Sequence, residues 1–340
     1  MPDPARPSDF DDSEPSNRPG PRRRSLVQTL IQTLRRAIGR GPRPAKPSDR
    51  GQHRSPWAAG WQRFCRDRLA IIGLVMFGVI LLAALAGPWF YTASATSLDY
   101  GLANVGPNWS HPLGTNDRGQ DLLARILQGG RVSLTVGLAS MLVSATVGTT
   151  IGAIAGFYGG AIDALLMRLT DIFLALPQLP LLLLLTYLFR DPIRTQFGPE
   201  LGIFLLVTVA IGGLNWMSVA RLIRANFLSL REAEFVMAAR SIGASPARLI
   251  WRHILPNAIG PAIVAATLAV GAAILTESTL NFLGLGFPPD VPTWGRMLYD
   301  AQNYLETAPH AALFPGLAVF LTVLSVNFIG DGLRDAIDPN

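Results

Sequence analysis

WQRFCRDRLAIIGLVMFGVILLAALAGPWFYTASATSL (61–98) changes character at a single point. Arg63, Arg66 and Arg68 come first, and from Leu69 to Leu98 there is no Asp, Glu, Lys or Arg. At the rise of an α-helix, the apolar run from Leu69 to Tyr91 reaches the roughly 30 Å thickness of a bilayer's hydrocarbon core. Basic residues are held on the cytoplasmic side of a membrane and aromatic residues gather at its interfaces. The arginines therefore place the start of this run inside, and Trp89 and Tyr91 mark the far face.

The same reading extends along the chain. Further charge-free windows cover 132–162, 172–189, 201–220, 253–276 and 307–330. Charged residues make up 15% of the 340, against about 25% in a soluble domain, and hydrophobic residues 49%. The 33 Gly and 26 Pro suit membrane helices, which tolerate both. These windows predict an all-α integral membrane protein of six transmembrane helices with both termini cytoplasmic. Charge agrees with that alternation: residues 1–68 carry 15 Arg plus Lys against seven acids, and 221–256 six Arg against two Glu. Between them, 92–131 is balanced and 284–310 has one Arg against three acids. The formal charge of +6 is thus concentrated in a tail before the first span and reads as a topology signal, not a nucleic-acid surface.

Four regions are expected. Residues 1–56 form a disordered basic cytoplasmic tail, rich in Pro, Arg and Ser, in which 25–40 has the apolar spacing of an amphipathic helix. Residues 57–92 hold the first span, 93–131 an outer loop, and 132–335 a core of five helices. Within that core 161–171 is an amphipathic link, and Pro177 and Pro180 predict a bend or late start in the third span, 172–189. The remaining spans are 201–220, 258–280 and 312–330. Cys65 is the only cysteine, which excludes an intrachain disulfide.

Enzyme chemistry finds no support. No GxxxxGK[ST] phosphate loop occurs, and the only lysine, Lys46, lies in the tail. His53, His111, His253 and His310 are scattered, and neither His111 with Asp117 and Asp121 nor Glu306 with His310 has metal-ligand spacing. Arg118 and Arg125 are near enough in sequence to neutralise the two aspartates. No catalytic residue, metal or cofactor is assigned to this chain.

The most informative polar segment is RLIRANFLSLREAEFVMAARSIGASPARLIWRHILPN (221–257). Leu228, Glu232, Phe235 and Ala239 fall at helical spacing, Gly243 supplies a stop, and Ser245 with Pro246 starts a second helix that Pro256 ends. Small residues such as Ala238, Ala239 and Gly243 allow such an element to sit deep in a groove of another protein. An ordinary cytoplasmic connection would show the same periodicity.

This segment resembles the cytoplasmic loop of the membrane subunits of bacterial ATP-binding-cassette (ABC) importers, whose pattern is Glu-Ala-Ala, three residues, Gly, nine residues, Ile-x-Leu-Pro. Here Met237-Ala238-Ala239, Gly243 and His253-Ile254-Leu255-Pro256 stand in that register. Met237 replaces the family's glutamate, with Glu232 and Glu234 one turn upstream, and RHILPN (252–257) is a form common in the peptide-importer branch. Four further stretches resemble the C-type subunit of the dipeptide and oligopeptide permeases: HPLGTNDRGQDLLARILQGGRVSL (111–134), GFYGGAIDALLMRLTDIFLALP (156–177), LTESTLNFLGLGFPPDVPTWGRML (275–298) and FPGLAVFLTVLSVNFIGDGLRDAIDP (314–339). WQRFCRDRLAIIGLVMF (61–77) is similar to that subunit's N-terminal module.

The resemblance implies a MetI-like permease fold in the bacterial inner membrane. It also implies a homologous second permease, two ATPase subunits carrying ATP and magnesium, and an extracytoplasmic solute-binding protein. Glu232, Glu234, Met237, Ala238, Ala239, Gly243, Ser245 and Pro256 would couple to the ATPases, with Ala239 and Gly243 in their groove. The solute would be a di- or oligopeptide, or alternatively a nickel complex, glutathione or another peptide-like compound. Glu277, Asn281 and Asn327 are candidates for the translocation path. For Glu277 the alternative is interfacial placement with hydrogen bonds to Ser278, Thr279 or Asn281, and for Asn327 a bond to a neighbouring helix. A secondary transporter fits less well, because Glu277 is the only candidate intramembrane carboxylate.

Overall fold

The computed structural model describes residues 56–337. The expected disordered tail, the amphipathic stretch 25–40 and the placement of both termini lie outside the described residues. Among these, the regular elements are helical, apart from an isolated bridge between Thr115 and Asp121.

Helix α1 (Pro56–Phe64) leads into α2 (Arg68–Phe90), the expected first span. Its start is local chemistry: the Asp67 carboxylate accepts from the Leu69 amide at 2.9 Å, satisfying one of the first-turn donors. Helix α3 (Leu122–Tyr158) is longer than expected, so the loop ends at Asp121 and not at 131. Asp121 Oδ1 accepts from the Ala124 amide at 2.8 Å, and the arginines that looked like loop residues are held inside the fold. Arg131 Nε, for instance, donates to the Ala84 carbonyl of α2 at 2.8 Å.

Helices α4 (Gly160–Ala175) and α5 (Gln178–Phe197) meet at 87°. The bend lies at Leu176 and Pro177, where proline disfavours helical backbone in the residue before it. Pro180 falls in the first turn of α5, where its missing N–H costs nothing. Helix α5 thus starts late, at Gln178, and continues through the polar stretch from Arg190 to Phe197. Helices α6 (Pro199–Gly213) and α7 (Trp216–Leu230) bend by 41° at Leu214 and Asn215.

A short helix α8 (Glu234–Ser241) is followed by one turn at Pro246–Arg248, a π-helical turn at Leu249–Ile254, and α9 (Leu255–Phe282). Helices α10 (Trp294–Ala301) and α11 (His310–Ile337) complete the described chain. Four helical stretches, Arg68–Phe90, Leu122–Tyr158, Pro246–Phe282 and His310–Ile337, are long and apolar enough to cross a membrane, and the described residues hold up to six spans if each bent pair is one.

Helix α3 packs along α7 and against α9. A Cβ on Gly152 would collide with the Ala220 carbonyl of α7, so glycine there sets the helix separation. Helix α2 lies on α11, with Phe64, Ala70 and Ala336 buried together. The two ends of the bundle differ. One, the loop end, carries 92–121 and 283–309, and the other, the basic end, carries 231–254.

Candidate functional site

At the basic end, the expected single helix through 228–239 is broken. Arg231 closes α7, Ala233 is extended, and α8 begins at Glu234. Glu232 is exposed and pairs with Arg231 Nε at 3.0 Å, while Glu234 stands exposed in the first turn of α8. The expected stop and restart are both present. Gly243 has φ +84°, and Ser245 Oγ accepts from the Arg248 amide with Pro246 at the first helical position.

The two faces of α8 have different surroundings. Val236 and Ala239 are buried with Phe227, Leu249 and Ile254. Ala239 is only 6% exposed, so its methyl packs into this chain's own core and is not available to a groove of another protein. Ala238 and Met237 are exposed, as are Phe235, Ile242 and Trp251, the last two at 87% and 67%. Of these outward side chains only Phe235 is among the residues that the helical spacing marks in the sequence; Ile242 and Trp251 are not.

Pro256 does not end a helix. The Leu255 amide donates to the Ile250 carbonyl, five residues back, and this wider turn accommodates a proline that lacks an N–H and would crowd the carbonyl of a normal preceding turn. The helix continues into α9 with Pro256 exposed in its first turn.

Glu277 and Asn281, one turn apart on α9, are brought together and enclosed. Asn281 Nδ2 donates to Glu277 Oε1 at 2.6 Å and Ser278 Oγ to Oε2 at 3.4 Å. Asn281 Oδ1 accepts from the Phe287 amide at 2.7 Å, tying the loop after α9 back to the helix. With Glu277 at 0% exposure and Asn281 buried, the pair ties α9 to the loop that follows it, and it faces no path in this structure. Asn327 lies half-buried on α11. The hydrogen-bonding alternative for Glu277 thus holds for Ser278 and Asn281.

At the loop end, Asp121 is not neutralised by arginine. Its Oδ2 accepts from Tyr91 Oη and meets His111 Nδ1, both at 2.8 Å. Burial, then Asp121, pushes the Tyr91 phenol up to about 12, so it remains a donor at neutral pH. Burial also raises the Asp117 carboxyl, opposed by Arg118. Arg125 Nη1 donates to Gln120 Oε1 at 2.6 Å and to the Ala95 carbonyl at 3.1 Å. No group of three or more His, Cys, Asp or Glu suited to a metal occurs among the described residues.

Residues 148–340 match the family described as binding-protein-dependent transport system inner membrane component, and 55–107 match the N-terminal TM domain of oligopeptide transport permease C. The chain is 40% identical to the dipeptide transport system permease protein DppC of Alkalihalophilus pseudofirmus, over 88% of this chain and 95% of that one. It is 38% identical to the glutathione transport system permease protein GsiD of Pectobacterium atrosepticum, over 84% of this chain and 92% of that one. Identity to the oligopeptide transport system permease protein OppC of Haemophilus influenzae is also 38%, over 84% and 89%. Two family matches in the expected order, and relatives aligned over most of both lengths, identify the chain as a member of the binding-protein-dependent inner-membrane permeases, a C-type subunit of the dipeptide/oligopeptide/nickel branch of ABC importers and a multi-pass protein of the bacterial inner membrane.

Proposed function

We propose that this chain forms half of the translocation path of a di- or oligopeptide importer, beside a homologous second permease and above two ATPase subunits. In this reading six spans put both termini inside, the basic end faces the cytoplasm, and a solute-binding protein delivers to the loop end. Residues 57–92 act as an N-terminal module on the five-helix core. The solute class is supported by the relatives, whose names share peptide substrates: dipeptide, oligopeptide and glutathione.

The observation that carries the coupling role is the pair of faces on 234–251. Val236, Ala239, Leu249 and Ile254 anchor the segment in the core, while Phe235, Ile242 and Trp251 stand exposed beside it. Apolar surface presented on a basic cytoplasmic face suits burial by a partner. ATPase closure would then push a segment rigidly fixed to α7 and α9, and that displacement would open one side of the path while closing the other. ATP and magnesium belong to the ATPases.

The test is reconstitution with the permease, ATPase and binding-protein chains that co-purify with this one. Proteoliposomes should accumulate radiolabelled alanyl-alanine or a tripeptide only with ATP, and this chain purified alone should show no ATPase activity. Failure of the assembled complex to accumulate either peptide, or turnover that co-elutes with the isolated chain, overturns the proposal.

A further inference from the structure

Between the start of α5 and the outer half of α9 lies a cavity of about 180 Å³, lined by Gln178, Leu179, Leu182, Leu275, Thr276, Thr279 and Leu280. Thr276 and Thr279 flank the enclosed Glu277 in sequence and sit three apart, on one face of α9. That face is partly open where Glu277 is closed. On the other wall, Gln178 is the first residue after the bend between α4 and α5, and its side chain reaches the second bend, donating from Nε2 to Asn215 Oδ1 at 3.1 Å. Both helix breaks therefore meet beside this cavity. Non-helical backbone at membrane depth is stable where protein covers it or where it borders water, and polar side chains turned to lipid are unfavourable.

The hydrogen-bonding direction of the polar groups is fixed. Thr276 Oγ1 donates to the Ala272 carbonyl and Thr279 Oγ1 to the Leu275 carbonyl, each at 2.8 Å, so both hydroxyl protons are committed to the helix. What each hydroxyl has left is acceptor capacity. Gln178 spends one N–H on Asn215, and its Oε1 is a further acceptor. No Asp, Glu, Lys or Arg lines the cavity.

We infer that this cavity is this chain's solute subsite, in which Thr276, Thr279 and Gln178 accept hydrogen bonds from the ammonium and amide N–H groups of a short peptide in transit. The inference rests on the importer reading above. Uncharged acceptors beside leucines recognise what all peptides share, their N–H donors, without selecting side-chain charge, and neutral groups hold a passing cation weakly enough to release it.

The experiment compares the reconstituted complex containing wild-type chain, the isosteric double variant Thr276→Val with Thr279→Val, and the double variant Thr276→Ser with Thr279→Ser. Uptake of radiolabelled alanyl-alanine is measured at saturating binding protein and peptide, together with complex yield and ATP hydrolysis stimulated by the loaded binding protein. Losing one hydrogen bond of ordinary strength changes a rate about fivefold. The valine variant should therefore lose at least about fivefold in uptake while retaining yield and stimulated hydrolysis, and the serine variant should transport like wild type. Wild-type uptake by the valine variant overturns the subsite, as does equal loss in the serine variant, which would make the effect one of shape. Loss of complex yield in the valine variant overturns it too, by making this face a subunit contact. Absence of peptide uptake with the wild-type chain removes the importer reading and this inference with it, whereas wild-type uptake with indifferent variants removes the inference alone.

Discussion

Gly243 and Ala239 look alike in sequence, two small residues in the segment expected to fill a groove, but they are small for different reasons. At Gly243 a Cβ would meet no atom within 4 Å, so space is not what requires glycine. Its φ of +84° is, since a left-handed backbone costs an ordinary side chain about 1–2 kcal/mol. Gly243→Asn should therefore be the mildest change, Gly243→Ala intermediate and Gly243→Val the worst, read as co-purified ATPase per membrane-inserted chain. Equal yields for all three would show that the left-handed turn does not position α8. Ala239→Trp, by contrast, overpacks a filled core, so the purified chain itself should melt earlier, by an amount corresponding to about 1–3 kcal/mol. The turn was legible because Gly243, Ser245 and Pro246 act through their own backbone. Which of two adjacent alanines faces inward was not, because α7 and the 249–254 turn decide it from elsewhere in the fold.

At the scale of elements, hydropathy located the apolar helices and missed their ends. Helix α3 starts before its apolar window because Asp121 caps it and because Arg125 and Arg131 bond to protein groups instead of water. Pro256 reads as a terminator by propensity, yet the π-helical turn before it carries the helix on. Polar side chains satisfied inside the fold and a locally widened turn are both invisible to a window average. The same limit hid the outward surface of α8, since Phe235 and Ile242 belong to a pattern that would also suit a core. Ile242 is exposed enough that Ile242→Asp should leave insertion and melting unchanged. If its side chain is a central contact with an ATPase, co-purification should fall at least about tenfold, the scale of an interface hot spot. The same substitution at exposed Leu305, at the loop end and outside the apolar helices, is the control. Equal retention by both variants would move the docking surface away from α8.

Across the whole molecule, distant segments are fastened by polar contacts at the loop end as well as by apolar packing. Arg125, 1% exposed, joins three of them: the Ala95 carbonyl after α2, Gln120 before α3, and Asp300 of α10, whose Oδ2 lies 3.8 Å from Nη2. Arg296 holds the same aspartate at 3.0 Å, so Asp300 keeps a cation if Arg125 is removed. The sequence placed Arg125 near Asp121, but Asp121 bonds Tyr91 and His111, and of the partners of Arg125 only Gln120 is near in sequence, while Ala95 and Asp300 lie on segments that only the fold brings together. Truncating one member of a buried charged network typically costs about 3–5 kcal/mol, because the remaining polar groups lose their partner without regaining water. Arg125→Met should lower the melting temperature of the detergent-purified chain by several degrees and expose 92–121 to protease added from outside intact cells. Arg125→Lys, which keeps the charge but cannot donate in the same planar fork to Gln120 and Ala95, should fall between the two. Combining Arg125→Met with Asp300→Asn should cost less than the sum of the separate changes, since the two side chains share one network. Additive losses would mean that Arg125 acts through Gln120 and Ala95 alone, and that α10 is held to the bundle by the packing of Trp294 and Met297.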